Sequence, residues 1–326
     1  MATETRRLTS APSILPLYAR AALPLVPGAS HLPFVPGGGG EIPAVRLELD
    51  GVVADPAAVA AYAKVCGFAL RDHLPPTYPH VLAFPLHMAL MSDGSFPFGA
   101  VGLVHVANKI TQHRRLGGEE ELALRVEATK LVAHPKGRAF DVVTEVRVGR
   151  QIAWESISTF LRRGKSDTGA ASGEAFPIVG DEVAASAEWR LPGDLGRRYA
   201  AVSGDRNPIH MHALTAKPLG FPAAIAHGMW TKARALAALE SRLPDAFETD
   251  VRFRRPILLP ARVEFATVDQ ETQQGQEEID FTVRGRGDKR SNRHLDGRVR
   301  PVAAKSRAGT ANSKTAKAKT KTGKAQ

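Results

Sequence analysis

Alternating apolar and polar side chains mark five segments of the chain, and each alternation has the two-residue period of a half-buried strand. These predicted strands cover residues 122–128, 139–146, 152–160, 261–268 and 278–283. Three lie in the first half of the chain and two in the second half. We expect them to form antiparallel sheet.

Other segments have helical spacing. Residues 228–240 are rich in Ala and Leu, and their apolar side chains recur every three to four residues, which predicts a buried helix. A shorter helix is predicted from Asp55 and Pro56 at its start to Gly67 just after its end. Residues 194–203 repeat that pattern. Helices followed by a run of strands predict an α+β fold, with one helix packed on an antiparallel sheet.

The chain also contains an internal repeat. Residues 62–67 (Tyr-Ala-Lys-Val-Cys-Gly) match residues 199–204 (Tyr-Ala-Ala-Val-Ser-Gly), and residues 78–86 match residues 221–229. The offsets of the two matches are 137 and 143 residues, so the second copy holds six extra residues between its blocks. A repeat of this length predicts duplicated domains rather than a solenoid.

The two copies differ in polar character. Asp205 and His210 fall where the second copy carries its extra residues. In the first copy, Phe68 takes the place of Asp205, and Phe84–Pro85 takes the place of His227–Gly228. One half therefore keeps a polar set of side chains that the other half replaces with apolar ones.

These signals divide the chain into five segments. Residues 1–44 are rich in Pro and Gly and are predicted to be an N-terminal extension that wraps around the body. We predict a degenerate first domain at residues 45–165 and a linker at residues 166–177. A second domain, which carries the polar set, is predicted at residues 178–301, and a disordered basic tail at residues 302–326.

The net charge of +11 is concentrated at the C-terminal end. Residues 302–326 hold seven Lys and Arg and no acid, and residues 282–301 have a net charge of +5, so residues 1–281 have a net charge of −1. The tail has no aromatic or large aliphatic residue after Val302, so it cannot bury enough apolar surface to become ordered. Its cations could bind nucleic acid or an anionic surface weakly, but we favour a solubilising extension.

Some classes of protein are excluded. Cys66 is the only cysteine, which rules out an internal disulfide and a multi-thiolate metal site, and its apolar neighbours predict a packed side chain. No run of about 18 apolar residues is present, so we expect no transmembrane helix. Arg20 and several prolines interrupt the N-terminal region, which disfavours a secretion signal. We expect a cytoplasmic protein.

The segment around Asp205 carries the candidate chemistry. Asp205, Asn207 and His210 lie within six residues, next to the restricting residues Gly204 and Pro208. A carboxylate stays ionised at neutral pH, and a histidine with a pKa of about 6.5 exchanges protons there, so the pair predicts proton transfer. The alternative is a capped turn in which His210 is incidental. Because the first copy lacks these groups, stability of the fold alone does not require them.

Three further motifs bear on the chemistry of the chain. His227–Gly228 opens the predicted helix, whose first amides favour negative charge, although an ordinary helix start with a small residue is the alternative. His210 and His212 alone do not make a metal site, and we predict no metal. Gly37–Gly40 do not follow a strand, so a dinucleotide fold is unsupported.

Residues 199–212 and then residues 221–229 closely resemble the MaoC-like, or hydratase-2, family of (3R)-specific hydroxyacyl-thioester dehydratases. The motif of that family is an aromatic residue followed by Ser/Thr-Gly-Asp-x-Asn-Pro-aliphatic-His, and this sequence satisfies each position and has the downstream His-Gly. The resemblance extends from about residue 12 to residue 301. The first copy resembles the degenerate half of two-domain members.

The resemblance implies a double hotdog fold: two tandem hotdog domains, each a long helix wrapped by an antiparallel sheet, with the two sheets joined edge to edge. It implies reversible dehydration of (3R)-3-hydroxyacyl thioesters to trans-2-enoyl thioesters in fatty-acid metabolism, without a metal or other cofactor. Asp205 and His210 would hold the catalytic water and move protons, and which of them acts on water stays open. The Gly228 amide would bind the thioester oxygen beside His227, and Asn207 would support the loop.

The resemblance also implies a substrate carried by coenzyme A or acyl carrier protein, with its pantetheine arm between the halves. The protein would be a monomer of two hotdogs or a homodimer. Phe68 and Phe84 would line the acyl tunnel, with plain core packing as the alternative. A non-catalytic acyl-thioester binding protein is the competing function, and the presence of both Asp205 and His210 disfavours it.

Overall fold

The structure is a computed structural model that describes residues 3–22, 40–164, 176, 179–271, 275 and 277–303. Twelve strands in these ranges form one sheet, which is antiparallel except for the pair β1–β2. The strands are β1 (Glu4–Leu8), β2 (Val45–Val52), β3 (Leu103–Gln112), β4 (Leu122–Ala128), β5 (Val132–His134), β6 (Gly137–Val148), β7 (Gln151–Arg163), β8 (Ala187–Leu191), β9 (Phe247–Phe253), β10 (Ala261–Glu271), β11 (Glu277–Gly285) and β12 (Arg293–Pro301). All five strands expected from the alternating pattern are confirmed.

Seven α-helices join these strands within the described ranges. They are α1 (Ile14–Ala22), α2 (Pro56–Cys66), α3 (Tyr78–Met91), α4 (Leu195–Ser203), α5 (Pro208–Met211), α6 (Ala213–Ala216) and α7 (Gly228–Ala238). The predicted boundaries of α2 are confirmed. The Asp55 side chain accepts a hydrogen bond from the Ala57 amide at 3.0 Å, and Gly67 ends the helix with φ of 85°.

The strand order is the same in both halves of the sheet. Along the sheet the strands run β2-β4-β6-β7-β3 and then β9-β12-β11-β10-β8, with β1 outside β2 and β5 beside β6. When β1 and β5 are left out and the five remaining strands of each half are numbered in chain order, both halves read 1-3-4-5-2 from the outer edge to the centre. This identity of topology confirms the duplication, and the two units are the expected pair of hotdogs.

The halves meet at the pair β3–β9. Ala107 lies opposite Arg252 and Gln112 opposite Phe247 in this antiparallel pairing, so the two sheets join edge to edge as expected. The Lys232 ammonium of α7 is fully buried behind the seam and donates to the carbonyl oxygens of Asn108 and Thr249 at 3.0 and 3.1 Å. One helix of the second half is thereby tied to a strand of each half.

The long helices α3 and α7 are buried against the sheet, but they do not begin at corresponding positions. The repeat aligns Tyr78 with residue 221, and α3 begins at Tyr78, whereas α7 begins only at Gly228. Phe84–Pro85, which the repeat aligns with His227–Gly228, therefore lies inside α3 rather than at a helix start. Pro79, in the first turn of α3, favours a helix start there, before the aligned position is reached.

The N-terminal segment contacts both halves. β1 adds to the outer edge of the first half by pairing with β2, and α1 then packs on α3 and reaches the loop after α4. The linker at residues 166–177, apart from Phe176, and the tail beyond residue 303 lie outside the described residues. No helix in the described part of the chain is long and apolar enough to span a membrane.

Candidate active site

The loop between α4 and α5 carries three of the predicted site residues. α4 ends at Gly204, whose φ of 76° lies in the left-handed region that glycine favours. The Asn207 side chain accepts from the Ile209 amide at 3.4 Å and, with Pro208, starts α5. The capped-turn interpretation is therefore correct for Asn207, and this cap fixes where the next turn presents His210.

His210 is buried on α5, 8% exposed. Its Nδ1 lies 2.8 Å from the carbonyl oxygen of Ile225, so this nitrogen carries the proton and Nε2 is left as the basic nitrogen. Burial is the largest influence on the His210 pKa and lowers it, which keeps the ring neutral at pH 7. A Cβ on Gly196 would collide with the His210 carbonyl oxygen, so glycine in α4 permits the close approach of α5.

Asp205 presents its carboxylate beside this imidazole. Its Oδ1 accepts from the Asn207 amide at 3.1 Å and from the Tyr18 hydroxyl at 2.8 Å. Burial alone would raise the Asp205 pKa, but the neighbouring His227 and His210 rings and these two hydrogen bonds outweigh it and lower the pKa. The pair at neutral pH is therefore a carboxylate and a neutral imidazole.

His227 contacts both residues of the pair. Its ring stacks on that of His210 with centroids 3.6 Å apart, and its Nε2 lies 2.9 Å from the Asp205 carbonyl oxygen. The ring is 2% exposed and burial lowers its pKa to about 3, so it stays neutral. His227 is absent from the described residues that line the cavity below, so it packs on His210 without forming part of the cavity wall.

Gly228 supplies the first amide of α7. The first amides of a helix have no acceptor inside it and carry the positive end of the helix dipole. A Cβ at Gly228 would lie 3.0 to 3.1 Å from three carbons of the Phe253 ring, so glycine lets β9 approach the start of the helix. The close-packing interpretation is therefore confirmed, and Gly228 also lines the cavity. Binding of a thioester oxygen by its amide stays a prediction.

Asp205, Asn207, His210 and Gly228 line one cavity of about 880 Å³. The opposite wall comes from the first half of the chain and includes His80, Phe84, His105 and Phe160. Phe84 therefore lines the cavity as expected, whereas Phe68 is buried and is not among the described lining residues. A cavity shared by both halves fits a long ligand that enters between them.

Five cations among the described residues line the same cavity. Both halves contribute to this basic rim, which consists of Lys136, Arg163, Arg252, Arg254 and Arg255. Lys136 and Arg163 come from the first half, and the others follow or end β9. All except Arg252 are exposed, so the rim marks the end of the cavity that opens to solvent. Such a rim favours anionic groups on the ligand.

A metal is the other use that this cluster of side chains suggests. Asp205, His210 and His227 each place a ligand atom within 4.8 Å of the others. Nε2 of His227 faces a carbonyl oxygen and is committed as a donor, so only its Nδ1, a buried nitrogen without a hydrogen-bond partner among the described residues, could offer a lone pair to a metal. His212 is exposed and accepts from the Leu214 amide at the start of α6. The absence of a metal stays a prediction.

The sequence did not indicate four residues of the site. Three are histidines that line the cavity, and the fourth, Tyr18, hydrogen-bonds Asp205. His80 and His105 line the cavity, and burial, the largest influence, lowers their pKa values to about 4 and about 3. His87 packs its ring edge against His80 with centroids 5.1 Å apart. These histidines lie on α3 and β3, and Tyr18 lies on α1, far from the motif along the chain. No local pattern connects them to it.

Comparisons with known proteins agree with this geometry. The model of the MaoC like domain family matches residues 174–289. The 3-hydroxyacyl-thioester dehydratase X (HtdX) of Mycobacterium tuberculosis (strain ATCC 25618 / H37Rv) is 41% identical over 246 residues, which are 74% of this chain and 83% of that protein.

Solved structures give the same picture. A crystal structure of HtdX from Mycobacterium tuberculosis superimposes with a TM-score of 0.68 at 37% identity and covers 79% of this chain and 100% of its own. A MaoC-like dehydratase from Phytophthora capsici has a TM-score of 0.63 at 18% identity, covering 78% and 94%. A Mycobacterium tuberculosis protein with a double hotdog fold has a TM-score of 0.50 at 15% identity, covering 78% and 95%. The last two support the fold alone.

Proposed function

The chain belongs to the MaoC-like dehydratase family, and we propose that it interconverts (3R)-3-hydroxyacyl thioesters and trans-2-enoyl thioesters. The observation that carries this proposal is the cavity shared by Asp205, His210 and the first amide of α7. A carboxylate and a neutral imidazole can both accept protons, and the amide can stabilise an oxyanion. Proton transfer beside a thioester carbonyl needs these groups together.

In the hydration direction, water adds its hydroxyl to C3 and a proton is added to C2. One of Asp205 and His210 removes a proton from the water as its oxygen bonds to C3, and the pair returns a proton to C2. Negative charge collects on the thioester oxygen in between, where the Gly228 amide would stabilise it. One such donor contributes about a hundred- to a thousandfold to the rate, and acid–base assistance about a hundred- to ten-thousandfold.

The basic rim supports a thioester with a phosphorylated carrier. Coenzyme A and the phosphopantetheine arm of acyl carrier protein both carry phosphates, which Arg and Lys bind. With the phosphates at the rim, the acyl chain would extend toward Phe84 and the first half. Which carrier is used stays open, as do the length of the acyl chain and the physiological direction.

Non-catalytic binding of acyl thioesters would use the same cavity. It does not account for a neutral imidazole braced beside a carboxylate, since binding an acyl chain needs neither. We propose further that no cofactor takes part and that a single chain holds a complete pair of hotdogs, alone or as a homodimer. A cytoplasmic location stays a prediction, as does weak anion binding by the tail.

Hydration assays with the full chain test the proposal. Purified protein is mixed with trans-2-enoyl-CoA of increasing length, loss of the enoyl thioester absorbance is followed, and the configuration of the product is determined by chiral chromatography. We expect (3R)-3-hydroxyacyl-CoA. A (3S) product, or acyl-CoA binding without any hydration, would contradict the assignment. Parallel assays with enoyl-acyl carrier protein distinguish the carriers.

A further inference from the structure

The N-terminal segment reaches the catalytic loop from outside the cavity. β1 is held at the edge of the first half, and α1 crosses from there toward the second half. The Ser92 hydroxyl donates to the Leu17 carbonyl oxygen at 3.4 Å, which joins α1 to the residue after α3. α1 is therefore attached to the first half while it contacts a loop of the second.

Contact with that loop is close. A Cβ on Gly204 would come within 2.5 Å of Cδ1 of Ile14, so α1 lies almost directly on the glycine that ends α4. The left-handed φ of Gly204 already favours glycine. The approach of α1 adds a second, independent constraint at the residue before Asp205.

Tyr18 makes the functional contact from α1. Its hydroxyl accepts from the Arg206 amide at 2.8 Å and donates to Oδ1 of Asp205 at 2.8 Å. Because the amide occupies a lone pair of the phenol oxygen, the hydroxyl proton is directed at the carboxylate. Burial and the neighbouring carboxylate raise the Tyr18 pKa, so the phenol stays a donor.

The two carboxylate oxygens of Asp205 are thereby made different. Oδ1 already accepts from the Asn207 amide, and Tyr18 supplies its second donor, so this oxygen is satisfied by protein. Oδ2 lies 3.7 Å from Nε2 of His227. Tyr18 itself is not among the described residues that line the cavity, whereas Asp205 is. The phenol therefore acts on the carboxylate from the side away from the substrate.

We propose that Tyr18 is a positioning residue for the reaction: it fixes the Asp205 carboxylate so that Oδ2 is presented to the substrate, and it stabilises the anion. This inference rests on the proposed function and deepens it. It makes the activity of the second half depend on a segment anchored to the first half. The competing view is that Tyr18 only fastens α1 to the body of the protein.

The test compares Tyr18→Phe with Leu15→Gln in the full chain. Phe keeps the ring and removes only the hydroxyl, whereas Leu15 is an exposed residue of the same helix and serves as the matched control. Aspartate labelled with ¹³C at its carboxyl gives the pKa of Asp205 by NMR titration, and the resonance is assigned by its loss in Asp205→Asn. Hydration kinetics and thermal unfolding are measured on the same samples.

We expect Tyr18→Phe to raise the pKa of Asp205 and to lower kcat about ten- to a hundredfold with KM within about threefold, since a hydrogen bond to a charged group is lost. Leu15→Gln should leave both unchanged. An Asp205 pKa that does not move, or a kcat that does not fall while the wild type is active, overturns the proposal. Wild-type protein without hydratase activity would instead refute the proposed function, while the NMR titration still decides whether Tyr18 controls Asp205.

Discussion

The two halves share a strand order but start their long helices differently. In the first half, the Tyr78 amide donates to the Pro75 carbonyl oxygen at 2.8 Å, and the next residue, Pro79, has no amide hydrogen. In the second half, α7 starts with Gly228 on the cavity wall. Of the two long helices, only α7 therefore begins on the cavity wall, where its first amide could bind an oxyanion.

The connections before these helices differ as well. Residues 67–77 join α2 to α3, whereas residues 204–227 join α4 to α7 and contain α5 and α6. The longer connection holds Asp205 and His210. A hotdog forms without it, so the catalytic groups belong to an elaboration of the fold rather than to its core. The first half instead supplies part of the cavity wall.

Removing the acid–base pair should have the largest effect, because it makes the second half chemically similar to the first. We expect Asp205→Asn and His210→Ala each to lower kcat for enoyl-CoA hydration about a hundred- to ten-thousandfold. Steady-state kinetic assays of the wild type and both variants measure the change in kcat.

The folded state should survive these changes, since the first half folds without such a pair. Circular dichroism and thermal unfolding serve as controls for Asp205→Asn, which nearly preserves the shape of the side chain. Full activity in either variant would show that the pair is not the proton-transfer machinery.

Copying the proline of the first half into the second should have the next largest effect. Gly228→Pro removes the amide hydrogen at the first position of α7, where proline is tolerated, and the extended backbone of His227 (φ −68°, ψ 138°) is compatible with a following proline. We expect kcat to fall about a hundred- to a thousandfold relative to Gly228→Ala.

Gly228→Ala is the matched control for that experiment. It adds the same Cβ against the Phe253 ring but keeps the amide hydrogen. Any loss common to both variants reports crowding by the Cβ, and the additional loss in Gly228→Pro reports the missing amide hydrogen together with the ring carbons of proline. Equal rates in the two variants would remove the Gly228 amide from the mechanism.

The sequence was most informative where neighbours along the chain decide the structure. Alternation predicted the strands, Asp55 and Gly67 marked the ends of α2, and the cluster from Asp205 to His210 predicted a shared site. The repeat predicted two similar units. These features depend on a few adjacent residues, so they can be read without knowing the fold.

Contacts across the fold could not be predicted in the same way. Tyr18 meets Asp205 across 187 residues, and His105 of β3 packs its ring against Phe253 of β9, across the junction of the two sheets. The alignment of the repeat does not predict where the long helices begin, since α3 starts before the position that aligns with the start of α7. His227 follows the family motif, yet stacking on His210 rather than its own sequence context decides what it contacts.

Buried neutral histidines in both halves predict a loss of stability in acid. His80 is 6% exposed, and burial lowers its pKa to about 4 from an ordinary value of about 6.5. In the unfolded chain, His80 binds a proton below about pH 6.5, whereas folded His80 does not bind one until about pH 4. Its stabilising contribution is therefore complete above pH 6.5 and decreases as pH falls through that window.

His80→Phe should weaken this dependence. Between pH 7.5 and pH 5, the free energy of unfolding should decrease by about 2 kcal/mol less in the variant than in the wild type. Denaturant unfolding at both pH values measures the difference, so a uniform change in stability from repacking cancels. An identical pH dependence in both proteins would mean that folding does not lower the pKa of His80. In the second half, His227 should also destabilise the folded state in acid, because burial lowers its folded pKa to about 3.

The smallest effect concerns which residues of the first half shape the cavity. Phe84 lines the cavity, whereas Phe68 is buried elsewhere in the core. Phe84→Ala should enlarge the acyl end of the cavity and improve kcat/KM for long enoyl-CoA relative to crotonyl-CoA several-fold, because an extra methylene in an apolar pocket changes binding only modestly. Phe68→Ala should destabilise the fold by about 3 to 5 kcal/mol, as expected for a truncated core aromatic, and leave the chain-length ratio unchanged. An unshifted ratio in Phe84→Ala would mean that the acyl chain does not extend toward Phe84, and a shifted ratio in Phe68→Ala would mean that the ratio does not report the cavity wall alone.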